Sequence, residues 1–206
     1  GFITRQVTRG KPDKDISKML ADRARSAHPF KQAVVKVENA FCLGDPKAAV
    51  VVVAFTDFEC PFCRIVSPIL RKLAGSLGDQ VTYCYKPFPV KGHGALAVST
   101  SKAAFAAFEL GKFWEFHDIM YEQFKAHSDG DLKGYVTRLG MDWNKFQEIR
   151  GAKDTKKKVV ASKREGLKLG VKSTPTIYVN GKRYHGEKSE VELKDRIQEE
   201  LELVDK

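Results

Sequence analysis

The chain has 206 residues, of which 42% are hydrophobic and 10% aromatic, so wholesale disorder is excluded and one globular domain, with or without an insertion, is expected. Its longest unbroken apolar run, Ala48 to Phe55, is far shorter than the ~20 residues of a membrane-spanning helix. The net charge is +10, but no nucleic-acid-binding signature accompanies it, so we expect neither a transmembrane protein nor a nucleic-acid partner.

The N-terminal segment, residues 1–37, is predicted to be a helical extension. Its first residues, "GFITRQVTRG", lack a basic and then apolar signal region, so the chain is expected to be cytosolic or to be a processed, mature protein. Within "KPDKDISKMLADRARSAH", Ile16, Met19, Leu20, Ala24 and Ala27 recur at helical spacing. The apolar stripe of this helix is expected to pack on its own domain or to mediate self-association.

Residues 38–91 have the pattern strand, helix, strand. After a turn at Gly44–Pro46, the β-branched run Ala49–Phe55 is typical of a strand buried on both faces of a sheet. "FTDFECPFCRIVSPIL" follows, with two cysteines at the junction between that strand and a helix that contains Pro68. "VTYCYKPFP", residues 81–89, is predicted to be the second strand.

Residues 92–170 are predicted to be an all-helical insertion. They are rich in alanine, phenylalanine and helix-forming residues, with Gly111 as a break. The basic stretch Lys153 to Lys172 also contains Val159, Val160, Leu167 and Leu169, which is typical of a solvated amphipathic helix.

Residues 171–206 return to strand and helix. Predicted strands at Thr176–Val179 and Lys182–His185 flank Asn180-Gly181, a strong signal for a tight hairpin turn. "KSEVELKDRIQEELELV" then predicts a final amphipathic helix.

Cys60 and Cys63 are the candidate reactive residues. A structural zinc site needs four ligands, and Cys42 and Cys84 form no second close pair, while His93, His117 and His185 occur singly. A disulfide across two residues would stabilise the fold little, because the closed loop is so short. We therefore expect redox chemistry, with no cofactor and no metal.

The position of the pair predicts which thiol attacks. At the start of a helix, free backbone N–H groups and the helix dipole stabilise a thiolate, so Cys60 is expected to have a pKa in the middle of the roughly 3.5–7.5 range of activated cysteines. Cys63, one turn later, is expected to resolve the mixed disulfide formed at Cys60.

"FTDFECPFCRIVSPIL" resembles the active-site segment of DsbA-like thiol–disulfide oxidoreductases of the thioredoxin superfamily. "YKPFPVKGHGALAVSTSKAAFAAFELGKFWEFHDIMYEQ" and "GVKSTPTIYVNGKRYHG" extend the resemblance over about residues 40–203. It implies a thioredoxin fold of the α/β class with an inserted helical domain. It also implies a cis peptide bond between Thr174 and Pro175, in a loop that meets substrate together with Pro61 and Phe62.

The resemblance has two departures. Many relatives carry a buried acidic residue six positions before the first cysteine, where this chain has Ala54, so Lys86, which matches a family lysine, is expected to lack its partner. Proton transfer would then use water or Lys86. The dipeptide Pro61-Phe62 also lacks the histidine found in the most oxidising relatives.

Cys42 and Cys84 allow two interpretations. They are two separate buried thiols, since free cysteine packs as a small hydrophobe, or they form a structural disulfide. In the family's sheet the segments that carry them lie side by side, which would bring the two residues within disulfide range.

The resemblance implies an exported, periplasmic enzyme that acts on the cysteines of proteins and has a redox partner of its own; disulfide formation is the expected direction. The alternatives are an oligomeric isomerase or reductase of the same fold, and a non-catalytic module, for example one that binds copper.

Overall fold

The computed structural model describes residues 2–27, 32–45 and 47–204. The helices are α1 (Phe2–Thr8), α2 (Asp13–Ala27), α3 (Pro61–Leu77), α4 (Gly94–Glu109), α5 (Phe113–Glu122), α6 (Asp129–Arg138), α7 (Trp143–Gly151), α8 (Lys153–Lys168) and α9 (Glu190–Val204), with short 3₁₀ turns at Gly78–Gln80 and Lys91–His93. The strands are β1 (Phe41–Leu43), β2 (Val50–Thr56), β3 (Val81–Pro87), β4 (Thr176–Val179) and β5 (Lys182–Arg183). None of the helices described in these ranges is long and apolar enough to cross a bilayer.

The five strands form one mixed sheet in the order β1-β3-β2-β4-β5. β2 and β3 run parallel and are connected through α3, whereas the other neighbours are antiparallel. The predicted β-branched strand is β2, which lies at the centre of the sheet, as its continuous apolar run indicates.

Helices cover both faces of this sheet. On one face, Ala54 of β2 and Tyr85 of β3 belong to the main core together with Cys60 and Cys63. On the other face, Phe55 packs in a second cluster beneath α8.

The helices α4 to α8 lie between β3 and β4 in the chain, in the region predicted to be a helical insertion. Gly111 has a positive φ of 71° in the turn between α4 and α5, as its role as a break requires. Ser128 and Asp131 form a capping box at the start of α6, and Asp142 caps α7.

The predicted N-terminal helix is confirmed as α2, and it packs on its own chain. The Ser26 hydroxyl accepts a hydrogen bond from the His185 N–H at 2.9 Å, and Arg23 pairs with Glu199 of α9. The sequence analysis did not predict α1, whose buried Gln6 donates to Glu192 of α9 at 2.9 Å.

The hairpin turn at Asn180-Gly181 is confirmed, because both residues have the positive φ, 48° and 73°, of a type I′ turn. The predicted length of the second strand is wrong, since β5 ends at Arg183 and not at His185. The Tyr184 N–H still donates to the Ile177 carbonyl of β4 at 2.8 Å, and the next N–H, that of His185, donates to Ser26 of α2.

Cys42 and Cys84 form a disulfide. They are directly opposite each other in the antiparallel pair β1–β3, with Cα atoms 4.0 Å apart, and they are 42 positions apart in the chain. Of the two interpretations of these cysteines, the structural disulfide is the one confirmed. It fastens the three-residue edge strand to the interior of the sheet.

Candidate active site

Cys60 and Cys63 lie where the C-terminal end of β2 meets α3. Cys60 is the N-cap residue of α3, Pro61 is the first helical residue, and Cys63 lies in the first turn. Proline suits this position because its fixed φ fits the helix and its missing N–H is not needed there. Both thiols are free, with Cys60 4% and Cys63 0% exposed.

The loop before β4 closes over the pair. The peptide bond between Thr174 and Pro175 is cis, as the resemblance implied. When it is protonated, the Cys60 thiol donates a hydrogen bond to the Thr174 carbonyl, at a sulfur–oxygen distance of 3.3 Å. The cis loop and the first turn of α3 therefore form a single site, although 114 positions separate Cys60 from Thr174.

The pKa values of the two thiols are shifted in opposite directions. The pKa of Cys60 is lowered to about 5, mainly because the Cys63 side chain donates a hydrogen bond to its thiolate. The Thr174 side chain and the backbone N–H groups of Phe62 and Cys63 lower that pKa further, whereas burial opposes them. Burial raises the pKa of Cys63 well above its usual value, and the neighbouring Cys60 adds to the rise. Cys60 is thus the thiolate at neutral pH, and Cys63 keeps its proton.

Asp57 holds the loop that leads into the cysteine pair. Its carboxylate accepts hydrogen bonds from the N–H groups of Glu59 at 3.0 Å and Val90 at 2.8 Å, and it contacts Nδ1 of His93 at 2.8 Å. Its backbone carbonyl accepts from the Cys60 N–H at 3.1 Å. Asp57 was not predicted to be a site residue, since its partners Val90 and His93 lie more than 30 positions away in the chain.

Glu59 connects the same loop to the helical segment. Its carboxylate lies 2.7 Å from Nδ1 of His127, and Nε2 of His127 donates to the Met120 carbonyl at 2.9 Å. His127 is completely buried, so this contact fixes the helical segment against the active-site loop. Nothing in the sequence pattern indicated this pair.

Ala54 occupies the position that is acidic in many relatives. Ala54 is completely buried and pairs with Tyr85 in the sheet. Within the described ranges of the chain, the buried hydroxyls of Thr56, Tyr121 and Thr174 have no hydrogen-bond partner while Cys60 is protonated, and the Thr174 hydroxyl can donate to the Cys60 thiolate. The pKa of Tyr121 is raised by burial first, and the nearby Tyr85 and Cys63 add to the rise.

Lys86 lacks the acid that relatives carry at position 54, as expected, but it pairs with a different acidic residue. Its ammonium group lies 2.6 Å from the Glu165 carboxylate of α8 and 2.5 Å from the Lys36 carbonyl. Lys86 is opposite Phe55 in the sheet register, and it therefore points to the face away from Ala54 and the cysteine pair. This position places Lys86 outside the site around Cys63.

A chain of contacts between buried polar side chains starts at Ser67, in the same helix as Cys63. The Ser67 hydroxyl contacts the Tyr83 hydroxyl at 2.7 Å and Nε2 of His117 at 2.8 Å, and Nδ1 of His117 lies 3.0 Å from Asp118. Burial lowers the pKa of His117 to about 3, so this histidine is neutral at physiological pH. Its two ring nitrogens are engaged within the fold, and no three His, Cys, Asp or Glu side chains of residues 2–27, 32–45 and 47–204 form a group suited to a metal ion.

An open groove of about 520 Å³ lies beside the cysteine pair and the cis loop. The residues lining it are Phe62, Ile65, Val66, Ser173, Thr174, Pro175, Glu187, Lys188 and Ser189. Phe62 and Ile65 are 68% and 61% exposed, which is unusual for side chains of this size. Of the predicted loop residues, Phe62, Thr174 and Pro175 line this groove.

Comparison with known proteins agrees with this architecture. A family model described as thioredoxin matches residues 36–199. The Na(+)/H(+) antiporter NhaA 1 of Salinispora arenicola is 35% identical over 148 residues, which are 69% of this chain and 22% of that protein. The chain thus spans about a fifth of the length of this curated relative.

Two solved structures are also similar. A thioredoxin-like oxidoreductase from Silicibacter pomeroyi has a TM-score of 0.71 and 25% identity, over 80% of this chain and 93% of that one. The thiol-disulfide exchange protein alpha-DsbA2 from Wolbachia pipientis has a TM-score of 0.69 and 18% identity, over 91% and 96%. With its cysteine pair, its cis loop and the helices between β3 and β4, the chain belongs to the thioredoxin family and has the DsbA-like form of the fold.

Proposed function

We propose that this protein is a thiol–disulfide oxidoreductase that forms disulfides in other proteins. The observation that carries the proposal is the contrast between the two thiols of one helical turn, since the pKa of Cys60 is lowered to about 5 and that of Cys63 is raised. Such a pair has one sulfur that leaves readily as a thiolate and one that stays protonated.

The proposed reaction begins with the Cys60–Cys63 disulfide. A substrate thiolate attacks the Cys60 sulfur, the bond to Cys63 breaks, and Cys63 leaves and takes up a proton. A second substrate thiolate then attacks the substrate sulfur of the mixed disulfide and expels Cys60 as its stabilised thiolate. Two electrons pass from the substrate to the pair, and a separate redox partner must remove them before the next cycle.

The lowered pKa of Cys60 also supports the direction of the reaction. Stabilising the thiolate stabilises the reduced protein, which makes the disulfide a stronger oxidant. We expect a reduction potential of roughly −120 to −180 mV, the range of disulfide-forming and isomerising catalysts. A potential near −270 mV would contradict disulfide formation and would favour a reductase.

The compartment follows from the same proposal. The Cys42–Cys84 disulfide and the oxidation of protein thiols both suit an oxidising environment outside the cytosol, such as the periplasm. The raised pKa of Cys63 favours redox exchange over the alternative of a copper site, because binding Cu(I) through both sulfurs requires both thiolates.

Oxidative refolding of a reduced, unfolded ribonuclease tests the proposal, with the oxidised protein as the only oxidant. We expect stoichiometric disulfide formation by the wild-type protein and none by the Cys60→Ser variant. The Cys42→Ala/Cys84→Ala variant is the matched control, since it removes two cysteines away from the groove. Equal oxidation by wild type and Cys60→Ser would contradict the proposal.

A further inference from the structure

The groove beside the cysteine pair has two chemically different walls. Phe62 and Ile65 of α3 present apolar surface on one side, and the segment Glu187–Ser189 forms the other. An extended substrate segment that reaches Cys60 would run between these walls, because the cis loop with Thr174 lies at the same groove.

Lys188 is the one cation among the nine residues that line this groove. Its side chain is partly buried, and burial is the main reason that its pKa is lowered. Arg183 lowers that pKa further, whereas Cys63 raises it when its thiol is ionised. An ammonium group that has lost part of its hydration gains more from a carboxylate than a fully hydrated one does.

The acidic residues next to Lys188 in the chain are engaged elsewhere. Glu187 contacts the Lys11 ammonium at 3.4 Å, and Glu190 pairs with Lys72 at 2.8 Å. Over the described part of the chain, no carboxylate lies within 4.0 Å of the Lys188 ammonium. Its positive charge is therefore available to a bound molecule.

We infer that Lys188 selects substrates whose reactive cysteine is flanked by an acidic residue as well as an apolar one. The apolar side chain would pack against Phe62 and Ile65, and the carboxylate would pair with Lys188 on the opposite wall. This inference rests on the proposed function and adds to it a class of substrate, a segment in which cysteine, an apolar residue and Asp or Glu lie close together.

Short single-cysteine peptides test the inference. Each contains one phenylalanine and carries Glu, Gln or Lys at one to three positions from the cysteine, and the rate constant for mixed-disulfide formation with the oxidised protein is measured at low salt. At the best position, we expect the wild-type protein to prefer Glu over Lys by about 5- to 10-fold, as a partly buried ion pair allows.

The ratio of the two rate constants is the readout, since a uniform change in the reactivity of Cys60 cancels in it. Lys188→Met should bring the ratio close to one, and Lys188→Glu should invert it. The matched control is Lys172→Glu, which makes the same charge change at an exposed residue of the neighbouring loop that does not line the groove. This control should retain the wild-type preference.

Two results would overturn the inference: a preference for Glu that survives Lys188→Glu, or an equal loss of preference in Lys188→Glu and Lys172→Glu. The second result would show that the preference for Glu depends on the overall charge of the protein and not on Lys188 itself. Failure of the proposed function looks different, because the wild-type protein would then react with none of the peptides, including the Gln series.

Discussion

The Lys86 ammonium group and the Glu165 carboxylate form an ion pair of 2.6 Å on the face of the sheet opposite the cysteine pair. The two charged groups can meet because α8 packs closely against the end of β3. At Gly166 of α8, an added Cβ atom would lie only 2.6 Å from the Phe88 ring. Lys86, which matches a lysine of the family, therefore has a structural role.

Substitutions of this ion pair should change stability more than activity. Glu165→Gln leaves the buried ammonium without its partner and should lower the free energy of unfolding by about 2–4 kcal/mol. Lys86→Met removes the buried charge itself and should cost less than about 2 kcal/mol. Urea unfolding measures both. Rates of thiol exchange should stay within about 2-fold of wild type, and a loss of more than 10-fold in Lys86→Met would place Lys86 back in the site.

The pKa of Cys60 should respond to its hydrogen-bond donors. In the reduced protein, thiolate absorbance against pH should give a midpoint near the value of about 5. Thr174→Val keeps the shape of the side chain and removes a donor, so it should raise that midpoint by about 0.5 to 1 unit. A wild-type midpoint near 8.5, the value for an ordinary cysteine, would rule out activation of Cys60.

The lowered pKa of Cys60 also predicts how the stability of the reduced protein depends on pH. In the unfolded chain, cysteine titrates near 8.5, so between about pH 5 and 8.5 the unfolded state binds more protons than the folded state. The free energy of unfolding should therefore rise with pH across this window and lose the contribution as pH falls through about 5. Urea unfolding of reduced wild type and Cys60→Ser at pH 4.5, 6.5 and 8.5 tests this. The difference between the two proteins should grow with pH, and a constant difference would contradict it.

The Cys42–Cys84 disulfide should contribute stability without taking part in exchange. It closes a loop of 42 residues and should stabilise the fold by about 2–4 kcal/mol in the loop-entropy model. Urea unfolding of Cys42→Ala/Cys84→Ala measures this loss. Thiol counting on denatured protein, after selective reduction of Cys60 and Cys63, should find two free thiols, whereas four would show that the bond is absent.

Sequence patterns predicted the parts of the fold that depend on neighbouring residues. The β-branched run predicted β2, the dipeptide Asn180-Gly181 predicted the hairpin, and the spacing of Cys60 and Cys63 indicated the candidate reactive pair. In each case the signal lies within a short stretch of consecutive residues, so it can be recognised from the sequence alone.

Contacts between distant segments could not be predicted in this way. The pairs Lys86–Glu165 and Glu59–His127 join residues 79 and 68 positions apart, and they depend on how α8 and the segment after α5 pack. The helix α1 also has no strong apolar periodicity, and its polar contacts with α9 hold it in place. The resemblance supplied the cis loop, whereas the position of Lys86 on the opposite face of the sheet does not support the proton-transfer role that the resemblance suggested.

The central claim is that the Cys60 sulfur is the one that substrate thiols attack and that forms the mixed disulfide, whereas Cys63 is the buried thiol that leaves from it. Its most direct test is to trap mixed disulfides with a protein substrate and to locate the cross-link by mass spectrometry in Cys63→Ser and Cys60→Ser. We expect a stable adduct through Cys60 in Cys63→Ser and almost none in Cys60→Ser, because the remaining Cys63 thiol is buried and its pKa is raised. Adducts of equal yield in both variants, or a cross-link through Cys63, would contradict this account.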